Sequence, residues 1–147
     1  MPRGLTKDYD RFGTRGHIDI VACFTPTGPV LAHTQRDRSH PDFDVCRENL
    51  DVLRAARHAD GTPYDVIEVP APRQTHDDGD IVDWSYINHY VCNGAVILCT
   101  FDDPHDAEVI DIMRSAYPGR EIVPIDSRGI FCFGGGIHCI TQQQPAV

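Results

Sequence analysis

The 147-residue chain has no Cys-x-x-Cys pair, no surplus of basic residues, and no uncharged apolar run near the roughly 18 residues that span a bilayer. Without that cysteine spacing, zinc-ribbon and thioredoxin-like readings lose their basis, and the scattered Cys and His positions argue against a metal centre. Thirteen Lys and Arg against 22 Asp and Glu leave a formal charge of −9. That balance disfavours nucleic acid and anionic membranes as partners and weakly favours a cationic ligand. The opening residues Met1-Pro2-Arg3-Gly4-Leu5-Thr6-Lys7 hold no apolar core of the signal-peptide kind. The expectation is a soluble, reduced, cytoplasmic protein, most simply one domain with a real core.

Six cysteines are present, and Cys23, Cys99 and Cys132 lie inside apolar runs where a reduced cysteine behaves as a small hydrophobe. Residues 1–15 are polar, carry Arg3, Lys7, Arg11 and Arg15, show no periodicity, and read as an N-terminal arm. Residues 16–147 read as the folded part. Within it Ile18–Phe24 is rich in β-formers, Pro26-Thr27-Gly28-Pro29 turns the chain, and Val30–His33 completes a hairpin. Phe43, Cys46, Leu50 and Leu53 recur at helical steps after Pro41-Asp42, Asp60-Gly61 ends that helix, and Tyr64–Val69 forms the next strand.

The order strand, strand, helix, strand then recurs. Trp84–Val91 reads as a strand, Asn93-Gly94 is a strong hairpin signal, and Ala95–Phe101 is its partner. Asp103 caps a helix with Pro104 at its first position, Val109, Met113 and Ala116 mark its apolar stripe, and Pro118-Gly119 stops it. Glu121–Ile125 closes the unit. The repeat is about 68 residues long, and a third unit is expected from Gly134. The fold class is therefore α/β, built from about two and a half ββαβ units whose open edges call for neighbours. The connector Arg73–Asp83 is acidic and turn-rich; it lacks EF-hand spacing and reads as a solvated loop.

Two features carry chemistry. Phe133-Gly134-Gly135-Gly136-Ile137-His138-Cys139 sets a thiol just beyond three glycines, which permit positive φ and close backbone approach to a ligand. His17 and Asp19 stand two apart at the start of the first strand, which puts them on one face with Ile18 turned into the core. His138 is adjacent to Cys139, and neighbouring strand residues face opposite ways, so it reads as a poor base. A thiol, an imidazole and a carboxylate are the parts of cysteine-based covalent catalysis.

Gly16-His17-Ile18-Asp19, Trp84-Ser85-Tyr86-Ile87-Asn88, Asn93-Gly94 and Gly134-Gly135-Gly136-Ile137-His138-Cys139-Ile140-Thr141-Gln142-Gln143-Gln144-Pro145 together resemble the agmatine deiminase family. With the bacterial-type peptidylarginine deiminases, that family belongs to the guanidine-modifying enzymes. The resemblance implies a pseudo-fivefold α/β-propeller of the pentein type and hydrolysis of a guanidinium to a ureido group, with release of ammonia and no cofactor. It implies Cys139 as nucleophile, His17 as general acid and base, Asp19 as a carboxylate holding the guanidinium, and Gly135 and Gly136 beside the substrate. Arg15 stands where the family usually has an acid, and Gly136 where many members have asparagine. Members carry about half their length ahead of Gly-His-Ile-Asp, so the missing units are expected from a second copy or a partner chain. The alternatives are a truncated, non-catalytic relative that binds or scaffolds, and other guanidine chemistry such as amidino transfer.

Overall fold

The computed structural model describes residues 17–74, 76–77 and 80–145, so the expected arm at 1–15 lies outside the described residues. In chain order, a 3₁₀ turn (Ile18–Ile20) leads into β1 (Ala22–Phe24), β2 (Val30–Thr34), α1 (Phe43–Ala55) and β3 (Val66–Pro70). Two short strands, β4 (His76–Asp77) and β5 (Asp80–Ile81), precede β6 (Tyr90–Cys92), β7 (Ala95–Thr100), α2 (Asp106–Ala116) and β8 (Glu121–Asp126). A single turn of helix, α3 (Arg128–Phe131), and a second 3₁₀ turn (His138–Ile140) follow.

The main sheets share one order. In β1-β2-β3 the first pair is antiparallel and the second parallel across α1; β6-β7-β8 repeats this across α2. Parallel neighbours need a crossover, and each amphipathic helix supplies it while covering one sheet face. Both hairpins turn through glycine at positive φ, Gly28 at 110° and Gly94 at 80°. The shared core joins the two units: Leu31 and Val69 from the first meet Val96, Leu98, Val109 and Met113 from the second.

The structure shortens several expected elements. The first strand begins at Ala22, because Ile20 N–H bonds back to the His17 carbonyl and Val21 N–H to that of Ile18, winding residues 18–20 into a turn. Ile18 is consequently exposed instead of facing the core, and Ile20 is the buried residue. Of the expected strand Trp84–Val91 only Tyr90 and Val91 are in the ladder, which runs on to Cys92. Upstream, Ser85 takes over local backbone bonding: its Oγ accepts Ile87 N–H and its carbonyl accepts Asn88 N–H. Helix α2 starts two residues after Pro104, since Asp103 first closes a turn by accepting His105 N–H on Oδ1 and Asp106 N–H on its carbonyl. Helix α1 stops at Ala55, short of Asp60-Gly61. The connector at 73–83 carries the β4–β5 pair instead of being loop throughout. From Gly134 onward the described residues form a turn and a 3₁₀ segment, with no further strand. No helix among the described residues is long and apolar enough to cross a membrane.

Candidate active site

The irregular buried segment Trp84–His89 organises the site. Ser85, fully buried, accepts a hydrogen bond from His33 Nδ1 at 3.1 Å and donates to the Ile20 carbonyl at 2.8 Å, anchoring the turn that carries Asp19. The Ser85 proton is committed to that carbonyl, so the His33 nitrogen must be the donor in their bond. Three residues on, Asn88 reaches both halves of the site. Its Nδ2 donates to the Asp19 carbonyl at 3.3 Å and to Cys139 Sγ at 3.2 Å. Its Oδ1 accepts the backbone N–H of His138 at 3.0 Å and of Cys139 at 3.4 Å.

Asp19 and Cys139, 120 residues apart in sequence, therefore meet: Cys139 Sγ lies 3.3 Å from Asp19 Oδ2. His138 Nδ1 donates to the same oxygen at 2.8 Å. The other carboxylate oxygen, Oδ1, is buried and has no hydrogen-bond partner among the described residues. A buried acceptor left open costs free energy unless something fills it, so it marks where an N–H donor belongs. Burial pushes the Cys139 thiol above its ordinary pKa, and the neighbouring Asp19 carboxylate adds to that; the Asn88 amide and the Gly136 N–H pull the other way.

Gly134 and Gly135, with φ of 91° and 137°, make the turn that delivers the thiol. Gly136 is buried and does not line open space. A β-carbon there would fall 2.6 Å from both Asn88 Oδ1 and the Phe131 ring, so glycine leaves room for Asn88. Cys139 itself is exposed, as a thiol presented by a turn should be. His17 is exposed at the N-cap of the 18–20 turn and makes no side-chain cap bond. The structure brings Cys139 and Asp19 together and leaves His17 two residues from Asp19, with no side-chain hydrogen bond or ion pair to either group among the described residues.

Two participants escaped the sequence reading. His138 reads as facing away from Cys139 only if both lie on a strand; the 3₁₀ turn at 138–140 lets both reach one carboxylate oxygen. Asn88 sits within a quoted motif but carries no local sign of its role, because its partners lie far off in sequence. Among the described residues no group of three or more His, Cys, Asp or Glu side chains could hold a metal ion.

Residues 1–145 match the profile of the Porphyromonas-type peptidyl-arginine deiminase family. A candidate agmatine deiminase from Streptomyces avermitilis is 54% identical over 147 residues, which is 99% of this chain and 42% of that protein. The agmatine deiminase of Pseudomonas aeruginosa is 37% identical over 99% of this chain and 44% of its own length. The structure of the Enterococcus faecalis agmatine deiminase, described as catalysing its reaction, superposes with a TM-score of 0.84 at 28% identity, covering 90% of this chain and 41% of that one. The chain thus spans about two fifths of the length of the relatives it matches.

Proposed function

This chain belongs to the Porphyromonas-type peptidyl-arginine deiminase family, and on that premise we propose that it carries the nucleophile of a site that hydrolyses a guanidinium to a ureido group. The observation behind this reading is the Cys139–Asp19 pair at 3.3 Å, with Asp19 Oδ1 buried and open to a donor. A guanidinium is planar, cationic and resonance-stabilised, and a carboxylate holds its N–H groups while its central carbon stays exposed. The Cys139 thiolate adds to that carbon, and the C–N bond breaks with His17 protonating the departing ammonia. Water then adds to the S-bound carbon with His17 taking its proton, and the C–S bond breaks to return the thiolate and leave the ureido product.

The thiol's upward shift favours a substrate that brings its own positive charge, since a cation beside the sulfur stabilises the thiolate. Ile18, Phe133 and Ile140, at 59%, 85% and 70% exposure, stand close in sequence to Asp19 and Cys139. Their exposure supports a pentein-type assembly in which further units cover these side chains. Agmatine, free arginine and peptidyl arginine share the same head group and are the substrate classes proposed.

A haloacetamidine, which mimics the guanidinium head group, is expected to label Cys139 at neutral pH about 10²-fold faster than Cys132, a second exposed thiol that controls for access. Mass spectrometry of the labelled peptides reads the ratio. Equal rates at the two cysteines would remove the catalytic reading. Selective labelling without ammonia release from agmatine or arginine, alone or with its assembly partner, would leave a binding relative instead.

A further inference from the structure

The geometry points to Asn88 as the positioning residue that holds the Cys139 sulfur in register with Asp19 and gives the thiolate a hydrogen-bond donor. This inference deepens the deiminase reading and rests on it for its chemistry. Asn88 is fully buried, and every polar atom of its side chain is engaged. Two backbone N–H groups, those of His138 and Cys139, point at one end of the amide, so that end is the oxygen. The NH₂ end then faces the Asp19 carbonyl, which can only accept, and the sulfur. Its main-chain carbonyl is used as well, taking the His138 N–H at 3.2 Å and the Cys99 thiol at 3.0 Å.

One side chain therefore ties both ends of the chain's chemistry to a rigid core segment. Ser85 holds the Asp19 turn from the same segment, three residues earlier. The arrangement also provides for both protonation states of the thiol. As S–H it donates to Asp19 Oδ2; as thiolate it accepts from Asn88 Nδ2. Ionisation thus gives up the bond to Asp19 and keeps the one from Asn88, so the thiolate retains a donor where the thiol stood, which is what a nucleophile held ready for a flat substrate requires. Gly136 fits this account independently, since the space its β-carbon would fill is taken by Asn88 Oδ1.

The titratable groups in contact with the sulfur are Asp19, by its own hydrogen bond, and His138 through the shared oxygen; Cys99 lies behind, on the Asn88 carbonyl. The test leaves these in place. Asn88→Asp keeps the shape of the side chain but replaces the NH₂ donor with a carboxylate oxygen. Alkylation of Cys139 by iodoacetamide is followed against pH, with Cys132 as internal standard. The variant's midpoint is expected to rise by about one pH unit or more, with about a tenfold slower rate at pH 7.5. An unchanged midpoint in a folded variant overturns the assignment.

Should Asn88→Asp not fold, the unaltered chain provides the second measurement. In its NMR spectrum the Asn88 side-chain amide protons are expected to shift with pH at the same midpoint as Cys139 alkylation, and to lose that shift in Cys139→Ala. Amide protons indifferent to Cys139 ionisation would equally overturn it. Neither readout involves turnover, so an absence of ammonia release counts against the deiminase reading alone, and an indifferent Asn88 against this inference alone.

Discussion

Lowering the pH from 7 to 5 is expected to remove ~4 kcal/mol of folding stability through two buried histidines. His33 and His89 are 5% and 4% exposed, and burial lowers each pKa from 6.5 to about 4. His89 Nδ1 donates to the Tyr86 carbonyl at 3.0 Å, so Nε2 accepts the Tyr117 hydroxyl at 2.7 Å and the ring is held neutral. Below about pH 6.5 the unfolded chain binds two protons that the folded chain refuses, so stability falls with pH until the folded histidines titrate near 4. The stabilisation is complete above the ordinary histidine pKa and is lost as pH falls through this window. Urea unfolding at pH 7, 6 and 5 measures it, and His89→Gln should roughly halve the slope. A flat profile across this range would show that both rings take up protons in the fold as readily as in the unfolded chain, and half the slope that one of them does. Because His33 bonds to Ser85, which anchors the Asp19 turn, acid should loosen the site before the helices.

Phe101→Ala is expected to cost ~3–5 kcal/mol, a large part of the 5–15 kcal/mol typical of a whole domain. Phe101 has no exposed surface and is the hub of the aromatic core: Trp84 stacks on it at 5.1 Å, and Tyr86 and Phe131 meet it edge-on at 5.1 and 5.4 Å. Truncation leaves a ring-sized cavity and breaks three aromatic contacts, each of which adds about 0.5–1.5 kcal/mol beyond burial. Phe101→Leu, which fills more of that cavity, should cost clearly less, and the difference in urea midpoint between the two variants checks the mechanism. The Phe131 ring also abuts Gly136, so a loosened Phe131 should slow haloacetamidine labelling of Cys139 in the alanine variant even where it remains folded.

These expectations separate what local chemistry decides from what needs the whole fold. The hairpin at Asn93-Gly94, the strands expected at Ala95–Phe101 and Glu121–Ile125, and the start of α1 at Phe43 follow from turn residues, β-branched runs and helical spacing; the structure keeps them, with the two strands ending at Thr100 and Asp126. Local pattern misjudged Ile18–Ile20 and Trp84–His89, where backbone groups are claimed by turns and by the Ser85 and Asn88 side chains; three residues are too few to tell a 3₁₀ period from a strand's. The cysteine, the carboxylate and the glycine turn were all legible in the amino acids themselves, because three glycines beside a thiol and a His-x-Asp pair stand out by composition and spacing alone. Their meeting was not. It depends on a buried amide whose four partners lie 50 to 69 residues away, and a hydrogen bond over that distance leaves no trace in neighbouring residues. The sequence alone thus determined the chemical groups and the ββαβ order; only tertiary packing decided that His138 joins Asp19, that Gly136 makes room for Asn88, and that one open carboxylate oxygen remains.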